Sequence, residues 1–427
     1  MTLQNEPSRP PLGARARQAV RAALGTPTLA GLLGCAVVMG LASSFVLPFL
    51  SLWATQAVGM SPPVFATFMT INSLCGMAAS TLLARQSDTR WPRRTVLLIG
   101  GSGGALGYLG YAFVREPLWL MCIGASVLSV SSVSFSQVFA HAREELSRSA
   151  VAGAAGSPTF GLGVLRAAFS LSWTVGPALG ALVVEAYGFR GSFLAASGLL
   201  LLYLLLVLAF VPARAPGAHA PAAAREPLLG ALTRPRLLVS FLVFMLIFAA
   251  LAMNMMNLPL LITQELGGTK RQVGTAFAIA PIFEIPFMLW LGRAAQDRQA
   301  ALIRAGVLVG VVYFVLIGAA GAPMHIYLAQ VLNAFTVAVT MSLAISYFQD
   351  LLPGQAGLAT SVYSSSWSLG SLVAYFSFGV LAERVGHGGL TRFCAALAAV
   401  SLVVLVLDGR RAARSSIPAG APAPAVD

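Results

Sequence analysis

The residue in this sequence best placed to do chemistry is a carboxylate, Glu284, near the middle of an apolar stretch. The stretch runs from Thr275 to Trp290, and Pro281 and Pro286 stand on either side of the acid. A charge at bilayer depth is costly, so it persists mainly where it faces a wet cavity or meets a partner. An acid whose surroundings alternate between wet and dry can take up and release a proton. We therefore expect Glu284 to mark the working site of a membrane transporter.

A second charge, Arg166, lies at a similar depth in another apolar stretch that starts from the same side of the membrane. A buried arginine is as unfavourable as a buried carboxylate, so the two charges either neutralise each other or each meets substrate and water. We assign Glu284 and Arg166 to proton coupling, with a purely structural ion pair as the alternative.

The composition places most of the chain in a membrane. Of its 427 residues, 57% are hydrophobic and only 10% are charged, and the mean hydropathy is +0.81. A soluble protein has about 25% charged residues. The net charge of +13 comes from short basic clusters between apolar runs, which is the pattern of the positive-inside rule. Nucleic acid is therefore not an expected partner.

Apolar stretches long enough to cross a bilayer, about 20 residues each, recur along the chain. They predict an all-α integral membrane protein with twelve transmembrane helices. The stretches are 29–54, 62–84, 95–114, 118–140, 160–186, 189–211, 237–262, 273–291, 301–321, 324–348, 356–381 and 390–407.

The Pro- and Ala-rich segment 212–236 is the one clear linker, and it separates two six-helix halves, 29–211 and 237–407. Near-equal halves predict a 6+6 architecture with a central site between them. Short tails, 1–28 and 408–427, complete the chain. With the N-terminus inside, most of the 27 Lys and Arg residues fall on one side, so we expect both tails and the linker to be cytoplasmic.

Amide side chains within the apolar stretches suit a neutral polyhydroxylated ligand, because each offers donors and an acceptor. A tryptophan could add a face on which a sugar ring or an apolar drug stacks. The substrate-binding candidates are Asn72, Gln137, Asn254, Asn257, Gln330, Asn333 and Trp367. The fourth stretch also carries several serines between residues 129 and 136, for which bonding to their own helix or helix packing is the commoner explanation.

The third stretch begins with a glycine-rich segment that contains Gly100, Gly101, Gly103, Gly104 and Gly107. Their spacing is not that of a dinucleotide-binding loop, and no strand–helix–strand context surrounds them. Pairs of small residues four positions apart instead predict close packing between membrane helices.

Several stretches together resemble the major facilitator superfamily and, within it, the bacterial sugar efflux transporters. The most specific are Glu284-Ile-Pro286 and Phe348-Gln349-Asp350-Leu-Leu-Pro353-Gly354, and the likeness covers essentially all of the membrane region. The other stretches that carry it are 137–144, 165–167, 171–177, 258–260 and 265–267.

The resemblance implies export of small sugars or glycosides across the bacterial inner membrane by proton antiport and alternating access. Asp88 and Arg94 look like the charged parts of a loop motif that gates the cytoplasmic side. Gly176 and Pro177 match part of the superfamily's antiporter motif. The resemblance also places the helices of Arg166 and Glu284 side by side between the halves.

The nearest rival is a multidrug exporter of the same fold, since the aromatic residues and Met253, Met255 and Met256 would suit apolar drugs. An enzyme is not expected, because no metal cluster or nucleophile constellation is visible. The four cysteines are far apart and lack metal or disulfide spacing, so we expect no cofactor. The expected partners are a sugar, protons and the lipid bilayer around a monomer.

Overall fold

The computed structural model describes residues 26–151, 158–213, 228–294 and 298–415. Every regular element in these ranges is helical, because a backbone in hydrocarbon must satisfy its own hydrogen bonds. The longer helices are α1 (Pro27–Val46), α2 (Pro62–Thr89), α3 (Arg93–Phe113), α4 (Pro117–Ser126), α5 (Val133–Val151), α6 (Pro158–Phe210), α7 (Pro235–Leu260), α8 (Lys270–Ala294), α9 (Gln299–Gly318), α10 (Pro323–Leu351) and α11 (Ala356–Ser415). Most of the predicted N-terminal tail, linker and C-terminal tail lie outside the described residues.

Two helices are too long for a single crossing. α6 has 53 residues and α11 has 60, whereas about 20 residues cross the hydrocarbon core. Each is interrupted at a glycine with positive φ, at Gly188 (67°) and Gly386 (68°). Glycine adopts this conformation without the steric penalty that a Cβ brings. Both glycines fall in the connections, 187–188 and 382–389, that the apolar stretches predict.

The described residues contain nine helices that are long and apolar enough to span a membrane, or ten if the pair Pro117–Ser126 and Leu128–Arg148, bent by 42°, forms one span. If α6 and α11 each cross twice, with the glycine at the turn, the ten become the predicted twelve. The prediction of an all-α membrane fold is confirmed. The number of twelve crossings stays a prediction.

The chain divides by its contacts into two compact units. The first unit comprises Met1–Val46 and Leu74–His219, and the second comprises Leu47–Ser73 and Ala220–Asp427. The end of the first apolar stretch and the start of α2 thus pack with the second unit. The predicted division into halves 29–211 and 237–407 stays a prediction.

In the first unit, the glycines of α3 bring this helix into close contact with the segment that joins α4 to α5. A Cβ added to Gly103 would lie 2.7 Å from the Val127 carbonyl oxygen. A Cβ added to Gly107 would lie 2.7 Å from Leu128 Cβ. These contacts confirm that the glycines serve helix packing.

α1 and α6 are packed equally closely around Ser172. Its hydroxyl donates to the Val37 carbonyl oxygen at 2.9 Å, and a Cβ on Gly40 would approach Ser172 Cβ to 2.8 Å. Gly176, one turn further along α6, lies against Ser44 so closely that a Cβ would collide with the Ser44 hydroxyl. Small residues thus let the two backbones approach, as in other membrane helix pairs.

In the second unit, small residues likewise let α7 and α11 approach each other closely. A Cβ on Gly370 would lie 2.6 Å from the Met245 carbonyl oxygen, and the Ser401 hydroxyl donates to the Val243 carbonyl oxygen at 3.0 Å. The start of α2 packs on α11 as well, since Phe65 meets the edge of Phe378 with ring centroids 5.9 Å apart. These contacts hold the helices that carry Asn72, Asn254, Asn257 and Trp367.

We predict that Gly107→Val lowers the thermal unfolding midpoint of the purified protein in detergent. The new side chain would have to displace Leu128, and overpacking of this kind costs about 1–3 kcal/mol. Gly198→Val is the matched control, because a Cβ at that position meets no described atom within 4 Å beyond the adjacent residues and the backbone of its own helix. Equal midpoints for the two variants would contradict the assigned packing role of α3.

Candidate functional site

Glu284 lies in α8 with one proline three residues before it and another two residues after it. It is half-buried, and the neighbouring Phe283 is 41% exposed. One helical turn further on, Phe287 packs against the edge of Phe335 of α10, with centroids 5.3 Å apart. The aromatic contact fixes the orientation of this part of α8, and hence the side of the helix on which the carboxylate lies.

The two prolines change the backbone around the acid. Proline has no N–H, so Pro281 and Pro286 leave the carbonyls of Phe277 and Ile282 without their usual helical donors. Carbonyl oxygens freed in this way can accept hydrogen bonds from water or from a polyhydroxylated ligand. α8 therefore places a carboxylate among freed acceptors within an otherwise apolar helix.

Arg166 lies in α6 and is exposed at the surface of the first unit. Glu284 belongs to the second unit. Arg166 is thus accessible and Glu284 is partly accessible. The pairing of the two charges stays a prediction.

Two of the predicted ligand-binding amides lie in a hydrogen-bonded core. Asn254 of α7 is 7% exposed and donates to the Tyr313 hydroxyl at 3.0 Å. Gln330 of α10 is 1% exposed, and its Oε1 accepts a hydrogen bond from Asn333 Nδ2 at 2.9 Å. Asn333 keeps a buried Oδ1 with no hydrogen-bond partner among the described residues. A ligand could bind Asn333 Oδ1 directly, whereas Asn254 and Gln330 support their helices.

Asn257 stabilises the break in α11. Its Nδ2 donates to the His387 carbonyl oxygen at 2.8 Å and to Thr391 Oγ1 at 3.1 Å. Since this nitrogen faces a carbonyl, the amide oxygen is the atom 2.9 Å from His387 Nδ1, which must then donate. Asn257 is 1% exposed and is therefore occupied within the protein.

A carboxylate completes this cluster, which we call the α11 break cluster (Asn257, Gln264, Glu265, His387 and Thr391). The carboxylate of Glu265 accepts hydrogen bonds from the backbone N–H groups of His387, at 2.6 Å, and Gly388, at 2.9 Å. These N–H groups begin the second part of α11, so Glu265 caps it as an N-cap residue would. His387 Nε2 lies 3.0 Å from Gln264 Oε1. Sequence reasoning missed His387 and Glu265, although the glycines Gly386, Gly388 and Gly389 signalled the break.

Gln137 lies in an ionic network of the first unit. Its Oε1 accepts hydrogen bonds from Ser87 Oγ and Arg93 Nη1, both at 2.9 Å. Arg93 also forms an ion pair with Glu144 at 2.7 Å, and Arg148 pairs with Glu145 at 3.0 Å. The network ties the start of α3 to α5. It is built on Arg93, a residue that sequence reasoning did not select.

The other predicted gating and binding residues are distributed over both units. Arg94 donates to the Leu208 carbonyl oxygen at 2.9 Å, so it joins α3 to α6. The Asp88 side chain lies outside the described residues. Gly176 and Pro177 are buried in α6, and Gly176 lies in the contact with α1 described above.

Two candidates of the second unit are at least partly accessible. Trp367 of α11 is 40% exposed and packs edge-on against Phe248 at 5.0 Å. Asn72 is half-buried in α2. Trp367 is thus fixed by its neighbour and still presents part of its ring.

Helices broken at glycine, small-residue packing and isolated polar side chains in apolar helices are typical of multi-spanning secondary transporters. The sequence model of the Major Facilitator Superfamily matches residues 32–256 and 241–426. The chain belongs to this superfamily. It is therefore a multi-spanning bacterial membrane protein and a transporter rather than an enzyme, as predicted.

Individual relatives agree with this assignment. A Deinococcus radiodurans protein, provisionally named a sugar efflux transporter, is 37% identical over 392 residues, which is 90% of this chain and 99% of the relative. Sugar efflux transporter A of Escherichia coli is 29% identical over 86% of this chain and 92% of its own length. These similarities confirm the predicted resemblance to the sugar efflux transporters.

Solved structures show the same fold. An aspartate-to-alanine mutant of the nucleoside transporter NupG superimposes with a TM-score of 0.75 and 13% identity, over 88% of this chain and 98% of its own. A peptide transporter of the POT family gives a TM-score of 0.72 at 10% identity, over 92% of this chain and 99% of its own. At these identities, the likeness concerns the fold alone.

We predict that Glu265→Ala lowers the thermal midpoint in detergent more than Glu383→Ala does. The first change removes the acceptor for two backbone N–H groups, and loss of a helix cap costs about 0.5–2 kcal/mol. Glu383 is an exposed acid of α11, so its loss should have little effect. If both variants unfold at the same temperature, the carboxylate of Glu265 does not stabilise the break in α11.

Proposed function

We propose that this chain exports small sugars or glycosides from the cytoplasm in exchange for protons. It would act in the inner membrane of a bacterium, as a monomer with both termini in the cytoplasm. The observation that carries the proposal is the 37% identity with a protein provisionally named a sugar efflux transporter, over 90% of this chain.

Proton exchange would depend on Glu284. It is half-buried in α8, the helix whose backbone two prolines interrupt on either side of the acid. Protonation from the external side would neutralise the carboxylate and remove the penalty for its burial. Release of the proton to the cytoplasmic side would restore the charge, which Arg166 and the bound sugar would then stabilise. Transport of one species therefore requires the return of the other.

Sugar recognition would combine amides with an aromatic face. Asn333 has a buried amide oxygen with no partner among the described residues, and Trp367 is 40% exposed. Asn72 and the freed carbonyls of α8 would add donors and acceptors. Asn254, Asn257, Gln137 and Gln330 already have protein partners, so we propose that they contact the sugar only if their helices rearrange during alternating access.

The burial of the α7 methionines favours a sugar over an apolar drug as the substrate. Met253 is fully buried and Met256 is 4% exposed, so both belong to the core of α7 rather than to a surface that a drug could reach. A flexible methionine-rich surface is a common way to bind varied apolar ligands. Two of the three residues that suggested such a surface are therefore engaged in packing.

We predict that Glu284→Gln abolishes proton-driven sugar transport. In everted vesicles with an acidic lumen, the native protein should accumulate radiolabelled sugar. The variant should accumulate at least about tenfold less, because it has no group that exchanges a proton. It should still exchange labelled for unlabelled sugar without a gradient. Glu383→Gln, which changes an exposed acid, should behave like the native protein. Unaltered gradient-driven accumulation in Glu284→Gln would show that Glu284 does not couple protons.

The choice between sugar and drug is tested separately. Cells that express the native protein should resist toxic glycosides and extrude labelled sugars, and their tolerance of hydrophobic cations should match that of cells without the protein. The reverse pattern would replace the sugar exporter with a multidrug exporter of the same fold.

A further inference from the structure

The first unit contains a cavity of about 180 Å³ that none of the predicted site residues lines. Its walls come from α1, α3, α5, α6 and the short 3₁₀ helix Leu128–Ser132 that precedes α5. Among the described residues, no charged side chain lines it. The cavity therefore favours a neutral occupant.

One wall of the cavity presents hydroxyl groups. Tyr108, Ser131 and Ser134 all line it. Ser134 is only 4% exposed, and its Oγ has no hydrogen-bond partner among the described residues. The Tyr203 hydroxyl lies close to Ser134 and likewise has no hydrogen-bond partner among the described residues. A buried hydroxyl without a partner is unfavourable, so such groups generally bind a ligand or ordered water.

Two further serines of the cavity keep only acceptor capacity. Ser43 Oγ donates to the Met39 carbonyl oxygen at 3.0 Å, and Ser132 Oγ donates to the Gly76 carbonyl oxygen at 2.6 Å. Each oxygen retains lone pairs once its single hydrogen is used. The cavity thus offers donors and acceptors together, as a ligand with several hydroxyl groups requires.

The rest of the cavity lining is apolar and partly aromatic. Phe135 and Phe169 meet edge to face with ring centroids 5.0 Å apart, and Met39 and Leu200 complete the surface. A pyranose ring likewise combines polar and apolar surface, with hydroxyl groups around its edge and C–H groups on its faces. Pockets that pair an apolar wall with a few placed polar groups are typical of small-molecule sites.

The break between α4 and α5 creates the hydroxyl wall. The helix axis bends by 42° between Pro117–Ser126 and Leu128–Arg148, and the intervening turn is a 3₁₀ helix. The altered helical repeat changes the directions of Ser131 and Ser132 relative to a continuous helix. Gly104 lets this segment approach closely, since a Cβ there would lie 3.1 Å from Ser131 Cβ. Broken helices of this kind form binding sites in many transporters.

We infer that this cavity binds a single neutral pyranose ring of the exported sugar. The inference rests on the proposed function and adds a ring site in the first unit, separate from the contacts proposed above for Asn333 and Trp367 of the second unit. A volume of 180 Å³ corresponds to about six water molecules at about 30 Å³ each. One pyranose ring with its hydroxyl groups is of this size, so a disaccharide would place one ring in the cavity and the other outside it.

The test measures sugar binding by the purified full-length protein in detergent. The probes are D-glucose, methyl glucoside and maltose, and isothermal titration calorimetry gives Kd. The double variant Tyr108→Phe with Ser134→Ala should raise Kd for every bound probe by at least tenfold. The matched control, Tyr187→Phe with Ser126→Ala, changes a tyrosine that is 75% exposed and a serine bonded to its own helix, and it should leave Kd unchanged.

Thermal unfolding of the same samples without sugar separates ligand binding from a structural role. Because the Ser134 hydroxyl is buried with no partner within the described ranges, its loss in the double variant should leave the midpoint of the sugar-free protein unchanged or raise it. A lower midpoint together with weaker binding would show that the hydroxyl groups stabilise the fold, and the inference would be wrong. Ala42→Met, which fills the cavity from α1, should block binding independently.

The outcomes distinguish this inference from the proposed function. If the native protein transports and binds sugar and the double variant binds it equally well, the cavity holds water only and the ring site lies elsewhere. The proposed function would then stand without the ring site. If the native protein neither transports nor binds any of the three sugars, the proposed function fails, and the inference fails with it.

Discussion

The structure depends on one constraint, which is that a polypeptide within hydrocarbon must satisfy its backbone hydrogen bonds without water. Every regular element in the described ranges is helical for this reason. The constraint also determines what happens where a helix stops. At Gly386 the carboxylate of Glu265 takes over two backbone N–H groups, and Asn257 adds a hydrogen bond to the carbonyl oxygen of His387. At this break, side chains replace the hydrogen bonds that the helix no longer makes.

Close helix approach is the second consequence of the same environment. Lipid is as apolar as leucine, so burial of apolar surface does not hold membrane helices together. The helices instead approach at small residues, such as Gly103 and Gly107 in the first unit and Gly370 in the second. Serine hydroxyl groups cross the resulting contacts and bind carbonyl oxygens of the facing helix, as Ser172 and Ser401 do.

Polar side chains within these helices divide into two groups with different implications. Asn254, Gln330 and Gln137 have protein partners, and their burial is compensated. Ser134 Oγ and Asn333 Oδ1 are buried without partners among the described residues. A ligand that binds an unpartnered atom forms a new hydrogen bond, whereas a ligand that binds a partnered side chain must first replace an existing one. The unpartnered atoms are therefore the better guide to binding sites. The type of residue does not separate the two groups, since asparagine occurs in both.

The sequence by itself determined the fold class, the membrane location and the family. These depend on the length and apolarity of each stretch, which no tertiary contact can alter, and on motifs such as Glu284-Ile-Pro286. It also located the glycine breaks to within a few residues, because polar and glycine-rich residues interrupt the apolar runs there. The close packing role of the α3 glycines followed from their spacing alone.

Only the tertiary structure decided which polar residues already have partners. Asn257 was selected as a sugar ligand, yet its partners are His387 and Thr391, which are more than 100 positions away in sequence. Arg93 rather than its neighbour Arg94 pairs with Glu144, because the two side chains leave α3 in different directions. A hydrogen bond requires atoms to meet within about 3 Å, and helix packing brings such atoms together from segments whose sequences give no sign of the contact.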